Sequence, residues 1–243
     1  MSNKLKSSVS KSQKSQDKTK SSQASDAPKR KGIFITLEGG EGAGKSSQIV
    51  RLEKRFEKLG HKVLLTREPG GSPGAEAVRH VLLSGAAEKF GPEMEAILFS
   101  AARGDHVENV ITPALNKNKT VICDRFFDST RVYQGITGNV PMSLLHSLEK
   151  IACGSTWPDL TLILDLDPSE GMARANKRRD TQTAPDRFEK ESLKLQQKRR
   201  EGFLSIAKQE PNRCKVIDAS GSEAEVAERI WAIVSEHFNL KNK

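Results

Sequence analysis

Eight residues of this chain, Gly39, Gly40, Glu41, Gly42, Ala43, Gly44, Lys45 and Ser46, satisfy G-x-x-x-x-G-K-[ST] at every fixed position. Glycines let the backbone wrap an anion with its amide hydrogens, and a helix starting there adds the positive end of its dipole. Lys45 can reach β and γ phosphates, and Ser46 can ligate Mg²⁺. By glycine usage alone such a match arises in on the order of one chain in a hundred. The apolar run before it and the amphipathic run after it make chance a poorer account still, so nucleoside triphosphate binding is expected. Loops of this kind serve kinases, GTPase switches and motor ATPases alike. A GTPase would carry D-x-x-G followed by N-K-x-D. Here Asn116-Lys117-Asn118-Lys119 lacks the Asp, and Asp218-Ala219-Ser220-Gly221 comes after it.

Other residues could grip a second anion and a flat ring. Arg67 and Arg125 each end a predicted strand, where ligands bind in open α/β sheets, and the guanidinium fork suits bidentate phosphate contact. A surface ion pair is the alternative for each. Phe99 and Arg103 stand four apart on a predicted helix, and Thr130 and Gln134 have the same spacing, which puts each pair on one face. A Phe so placed is also what a core position looks like. Arg174, Lys177, Arg178 and Arg179 gather before the polar stretch Asp180 to Pro185 and Arg187. That region reads either as a solvated helix end or as a mobile lid, about 174–187, bringing arginines to a transferring phosphoryl group and excluding water. The five histidines are scattered and receive no role.

The elements that must position these residues alternate in type. Ile33 to Leu37 is a predicted buried strand, followed by the glycine-rich turn and a helix to about Leu59, stopped by Gly60. Lys62 to Thr66, Thr120 to Cys123, Asp159 to Asp167 and Val216 to Asp218 are four more strands. Two or three helices fill Ala75 to Asn116, with turns near Gly85 and Gly91-Pro92, and Glu223 to Phe238 closes the chain as a helix. Arg67 to Gly74 packs two prolines and three glycines into eight residues and is expected to be loop throughout. Strands alternating with helices, with no repeat and no linker, give one α/β domain over residues 32–240: a five-stranded parallel sheet in three layers.

Composition sets the surroundings. Of the formal charge of +9, most sits in residues 1–31, with nine Lys/Arg against two acids, so the remainder is nearly neutral. Nine serines and few apolar residues give that segment too little surface to bury, so it reads as a disordered basic tail. It has no apolar core of a secretory signal, and no run approaches the roughly 18 residues of a membrane span. Cys123, Cys153 and Cys214 are odd in number and widely spaced, which argues for core thiols in a reducing compartment rather than a disulfide or zinc framework.

Beyond the loop, four segments are similar to those of thymidylate kinases of the bacterial type. They are Thr66-Arg67-Glu68-Pro69-Gly70-Gly71; Leu98-Phe99-Ser100-Ala101-Ala102-Arg103; Asp124 to Thr130 running on to Tyr133-Gln134-Gly135; and Pro158-Asp159-Leu160-Thr161, with Leu164-Asp165 and Asp186-Arg187-Phe188-Glu189 following. The resemblance spans residues 33 to about 238. It implies a P-loop nucleotide kinase fold with a small lid, transfer from ATP to dTMP with Mg²⁺, a cytoplasmic homodimer, and no nucleic acid or membrane partner. It assigns Arg67 and Arg125 to the acceptor phosphate, Phe99 and Arg103 to the thymine face and O4, and Thr130 and Gln134 to the base edge. Tyr133 goes to the deoxyribose, Glu41 to the sugar 3′-hydroxyl or the metal waters, and Asp124 to the latter. Eukaryotic-type relatives carry an arginine where this chain has Gly42, so the catalytic arginine is expected from the lid, Arg178 or Arg179. The chain departs from the family pattern at Arg131-Val132 and at Leu195-Gln196.

Overall fold

The computed structural model describes residues 32–179 and 192–240. Apolar runs without alternation need cover on both faces, and parallel neighbours need a crossover between them. The strands β1 (Phe34–Gly39), β2 (Val63–Arg67), β3 (Thr120–Asp124), β4 (Leu160–Asp165) and β5 (Cys214–Asp218) meet both demands. They lie in the order β2-β3-β1-β4-β5, every pairing parallel. Leu37 is level with Asp124 and Gly39 with Leu164, so β1 ends in the middle of the sheet. Connections leave it toward both sides, which opens a crevice over its carboxyl end.

The helices are α1 (Lys45–Lys58), α2 (Pro73–Leu83), α3 (Gly91–His106), α4 (Thr112–Asn116), α5 (Phe127–Thr130), α6 (Met142–Cys153), α7 (Pro168–Arg179), α8 (Leu193–Gln209) and α9 (Glu223–His237). Two π-helical stretches, Val107–Ile111 and Arg131–Thr137, continue α3 and α5. Side chains of β1 alternate between layers. Ile35 and Leu37 pack with Leu52 and Phe56 of α1 and Ile230 and Trp231 of α9. Phe34 packs on the opposite face with Ile111, Phe126 and Phe127. On that second face Thr36 meets Thr161 through a 2.7 Å hydroxyl pair.

The expected strands and helices are found to within a few residues, while α6 and α8 had no expected counterpart, and one expectation is corrected. Helix α2 begins at Pro73, inside the stretch expected to be loop. Proline at the first helical position loses nothing, since that N–H has no partner there. The cap comes from elsewhere: Asp105 of α3 accepts the Ala75 N–H at 3.1 Å and the Ser72 hydroxyl at 2.5 Å. The three cysteines are buried and unpaired with one another, and burial pushes the Cys153 and Cys214 thiols up to about 12. Among the described residues no helix is long and apolar enough to cross a membrane. The tail at 1–31 and, within the lid expected at about 174–187, residues 180–187 with Arg187 lie outside the described residues.

Candidate active site

The glycine-rich turn joins β1 to α1. Gly44 caps α1 at φ 87° without a side chain, and no acid lies in the first turn, so the leading amides of that helix are left for an anion. Lys45 folds back over the turn, its Nζ donating to the Gly39 and Gly40 carbonyls at 3.2 and 2.9 Å. Burial, and then the neighbouring Arg125 charge, hold its pKa below the ordinary lysine value. Ser46 donates its hydroxyl to Asp124 Oδ2 at 3.1 Å, while Asp124 Oδ1 is buried with no hydrogen-bond partner among the described residues. Gly42 sits at φ +68°, and a Cβ there would stand 2.0 Å from the Gly171 carbonyl oxygen of α7.

Arg125 stands at the centre. Its backbone turns left-handed at φ 66° directly after β3, a conformation an arginine needs help to keep. Glu38 of β1 supplies it: Oε1 accepts the N–H groups of Phe126 and Ser129 at 2.8 and 3.2 Å, and Oε2 accepts the Ser129 hydroxyl at 2.6 Å. Glu38 therefore caps α5 and fixes the turn. The Arg125 fork donates to the Gly39 carbonyl at 3.2 Å, the Ser129 hydroxyl at 3.1 Å and Glu41 at 2.9 Å, and lies 5.4 Å from the centre of the Tyr133 ring.

Burial, with the Asp128 carboxylate beside it, pushes the Glu38 carboxyl up from its ordinary 4.5 to about 7. A pKa raised by folding means stability that is complete below the unfolded value and drains away as pH rises through the folded one. Glu38→Gln resembles the protonated acid in shape. Between pH 4.5 and about 7 the melting temperature of wild type should therefore fall relative to that of the variant. Parallel melting curves across that interval would show that Glu38 ionises as an exposed carboxylate does.

The far end of the crevice is built on α3, α5 and the second π-helical stretch. Arg103, buried, donates from Nε to Glu68 at 2.8 Å and from Nη2 to the Thr130 hydroxyl at 3.1 Å. Glu68 is held in turn by His106 Nδ1 at 3.1 Å, whose Nε2 meets the Thr66 hydroxyl at 2.7 Å. Gln134 donates its amide Nε2 to Glu95 at 3.2 Å. Arg131 and Val132, where the chain departs from the family pattern, point elsewhere. Arg131 forks onto Glu149 with two 2.7 Å bonds and also pairs with Glu210, and Val132 is buried against Gly202 of α8.

One cleft of about 330 Å³ gathers the expected residues. Glu41, Gly42, Gly44, Lys45, Ser46 and Asp124 line one end, Phe99, Arg103, Thr130 and Gln134 the other, with Arg125 and Tyr133 between. Arg67 sits at the rim, half exposed and 3.5 Å from Glu76. Gly39 and Gly40 border a smaller cavity behind the turn, beside Gln196 and Arg200, and Ala43 faces the core. Arg178 and Arg179 end α7, and their side chains lie outside the described residues. Sequence reasoning passed over Glu38, Glu95, Ser129, His106 and Arg79, which lines the cleft and donates to the Pro69 carbonyl at 2.6 Å. Only Glu38 left a signal, an acid closing a strand that is otherwise apolar.

The family model described as Thymidylate kinase matches residues 37–230. A thymidylate kinase of Bradyrhizobium sp. (strain ORS 278) is 53% identical over 208 residues, 86% of this chain and 92% of that protein. One from Rhodopseudomonas palustris (strain TIE-1) is 54% identical over 205 residues, 84% of this chain and 89% of its own length. The crystal structure of thymidylate kinase from Ehrlichia chaffeensis at 2.15 Å resolution superposes with a TM-score of 0.66 at 32% identity, covering 84% of this chain and 98% of that one. Matches of this extent place the chain in the thymidylate kinase family.

Proposed function

We propose that the cleft over β1 and β3 is where this family's reaction takes place, with its two ends holding two nucleotides phosphate to phosphate. The chain phosphorylates dTMP to dTDP at the expense of ATP. In our assignment the turn from Gly39 to Ser46 cradles the donor phosphates and Lys45 neutralises them. Arg67 and Arg125 hold the acceptor phosphate, one of whose oxygens attacks the γ-phosphorus in line. The bond from that phosphorus to the ADP oxygen breaks, and the electron pair stays on ADP. The attacking oxygen is already anionic, so the step needs no general base, only cations that quench repulsion between two polyanions. Arg178 or Arg179 is assigned to bring a further cation from the lid. The observation that carries this reading is Arg125, whose fork touches the phosphate turn on one side and stacks toward Tyr133 on the other.

Ser46 and Asp124 fit a Mg²⁺ ion. Both offer hard oxygen donors beside the donor site, and Asp124 Oδ1 is a buried acceptor with no hydrogen-bond partner among the described residues. When bound there, Mg²⁺ would supply neutralising charge to the donor phosphates. Glu41, fixed by Arg125, is assigned to the sugar hydroxyl or the metal waters, and Tyr133 to the deoxyribose. Phe99 offers a ring for the thymine to stack on and Arg103 a donor for O4, with Thr130 and Gln134 at the base edge.

Two substitutions separate base reading from phosphate holding. Gln134→Leu should lower kcat/KM for dTMP roughly 5- to 150-fold while sparing KM for ATP, because a buried imide edge is left unpaired. Arg67→Ala should weaken dTMP, dUMP and dCMP alike, since a phosphate contact carries no base information. Equal losses for all three monophosphates with Gln134→Leu would remove the thymine pocket from this reading.

A homodimer is supported by an apolar face across three packed helices: Val81 of α2, Met94 and Ile97 of α3 and Ile151 of α6 are all exposed. Ile97→Asp should turn a dimer into a monomer in sedimentation velocity, and an unchanged sedimentation coefficient would move the interface elsewhere. Three buried thiols suit a reducing cytoplasm. We read residues 1–31 as a basic tail outside the catalytic unit, which spans 32–240.

A further inference from the structure

We propose that Glu95 is a specificity-positioning residue, setting which end of the Gln134 amide faces the base. The inference rests on the reading that the pyrimidine lies between Phe99 and Gln134. Glu95, Phe99 and Arg103 are spaced by four along α3 and share one helical face, so Glu95 lies one turn before the two residues that line the cleft. It is buried, as is Gln134. The backbone of Gln134 has little freedom, because its carbonyl accepts the Val140 N–H at 3.0 Å and lies 2.5 Å from where a Cβ on Gly138 would stand.

With the backbone fixed, the side chain has two orientations of nearly the same shape and opposite polarity. A carboxylate accepts hydrogen bonds and donates none. Glu95 at 3.2 Å therefore takes the amide nitrogen and leaves the amide oxygen for the ligand. Thymine and uracil carry a hydrogen on N3 and complement that oxygen; cytosine N3 carries a lone pair and would face it acceptor to acceptor. Turning the amide over to suit cytosine would set its oxygen against the Glu95 carboxylate. A glutamine that alone could serve either base becomes selective because of a residue that need not touch the base.

The test is the ratio of kcat/KM for dTMP to that for dCMP, measured on the full-length enzyme at saturating ATP. Because both substrates are read on the same preparation, partial misfolding cancels. Glu95→Gln can donate to the Gln134 oxygen and permits the turned amide, so the ratio should fall by about tenfold or more. The ratio for dTMP over dUMP, which share the N3 hydrogen, should stay within about twofold. In a Gln134→Leu background Glu95→Gln should add no further change. Glu95→Ala, which removes the acceptor without adding a donor, gives the same comparison where the glutamine is not accommodated, and its ratio should also fall. If Gln134→Leu lowers the ratio and neither Glu95 variant does, the proposal is overturned and the base site stands. If Gln134→Leu leaves it unchanged, the base site itself is misassigned and the proposal goes with it.

Discussion

Replacing Lys45 by alanine should lower kcat by at least about a hundredfold, with KM for dTMP little altered. The ammonium rests on two carbonyls of the turn and is poorly solvated, which is why its pKa is depressed. A polyphosphate in the turn would replace those weak partners with full negative charge. As the bond to ADP breaks, charge moves onto the oxygen between the β and γ phosphates, and a cation already fixed in a dry turn is worth more there than one recruited from water. Alanine removes a buried charge as well, so the fold has no reason to weaken and the melting temperature should not drop. ADP release followed at saturating substrates checks the expectation. Retention of more than about a tenth of wild-type kcat, a difference of roughly 1.4 kcal/mol, would dismiss Lys45 from the transfer step.

Arg125→Lys keeps the charge and loses the fork. The guanidinium spans the Gly39 carbonyl, the Ser129 hydroxyl and Glu41 at once, and this reach holds it between the two nucleotide sites. An ammonium is a point charge on a flexible stem and can serve one of those partners at a time. We expect kcat/KM for dTMP to fall on the order of 10²- to 10³-fold, as for removal of a preorganised donor at a transferring group. KM for ATP should move far less. Because the left-handed turn is kept by Glu38 and Ser129 rather than by the guanidinium itself, circular dichroism and melting should match wild type. If the lysine variant kept dTMP turnover within about threefold of wild type, charge alone would be sufficient and bidentate holding would be wrong.

The parts of this molecule that were legible in sequence are those whose causes are local. A strand, a glycine turn and a helix follow one another between Phe34 and Lys58, and each step of that path is written in adjacent residues. The start of α2 was not legible, because its cap is Asp105, about thirty residues away on another helix. The support of Arg125 was hidden in the same way: Ser129, whose hydroxyl donates to Glu38, is 91 residues from it. Glu95 and Gln134, separated by 39, meet only because α3 and the second π-helical stretch pack together. Resemblance to a known family filled part of this gap for the residues its motifs contain, and was silent on the carboxylates that hold those residues in place.

The close approach of the phosphate turn to α7 has an evolutionary side. A Cβ on Gly42 would strike the Gly171 carbonyl at 2.0 Å, and a Cβ on Gly171 would strike the Glu41 carbonyl at 2.4 Å. The two backbones run so close that neither position has room for a Cβ. An arginine at position 42, the eukaryotic-type solution, therefore cannot arrive here by a single substitution, since its first carbon already lacks room while α7 stays where it is. The helix would have to retreat first, and it is the helix that ends at Arg178 and Arg179, to which we assign the lid cation. On the proposed assignment of the cation to the lid, a lineage passing to a loop arginine would first have to distort the turn against α7.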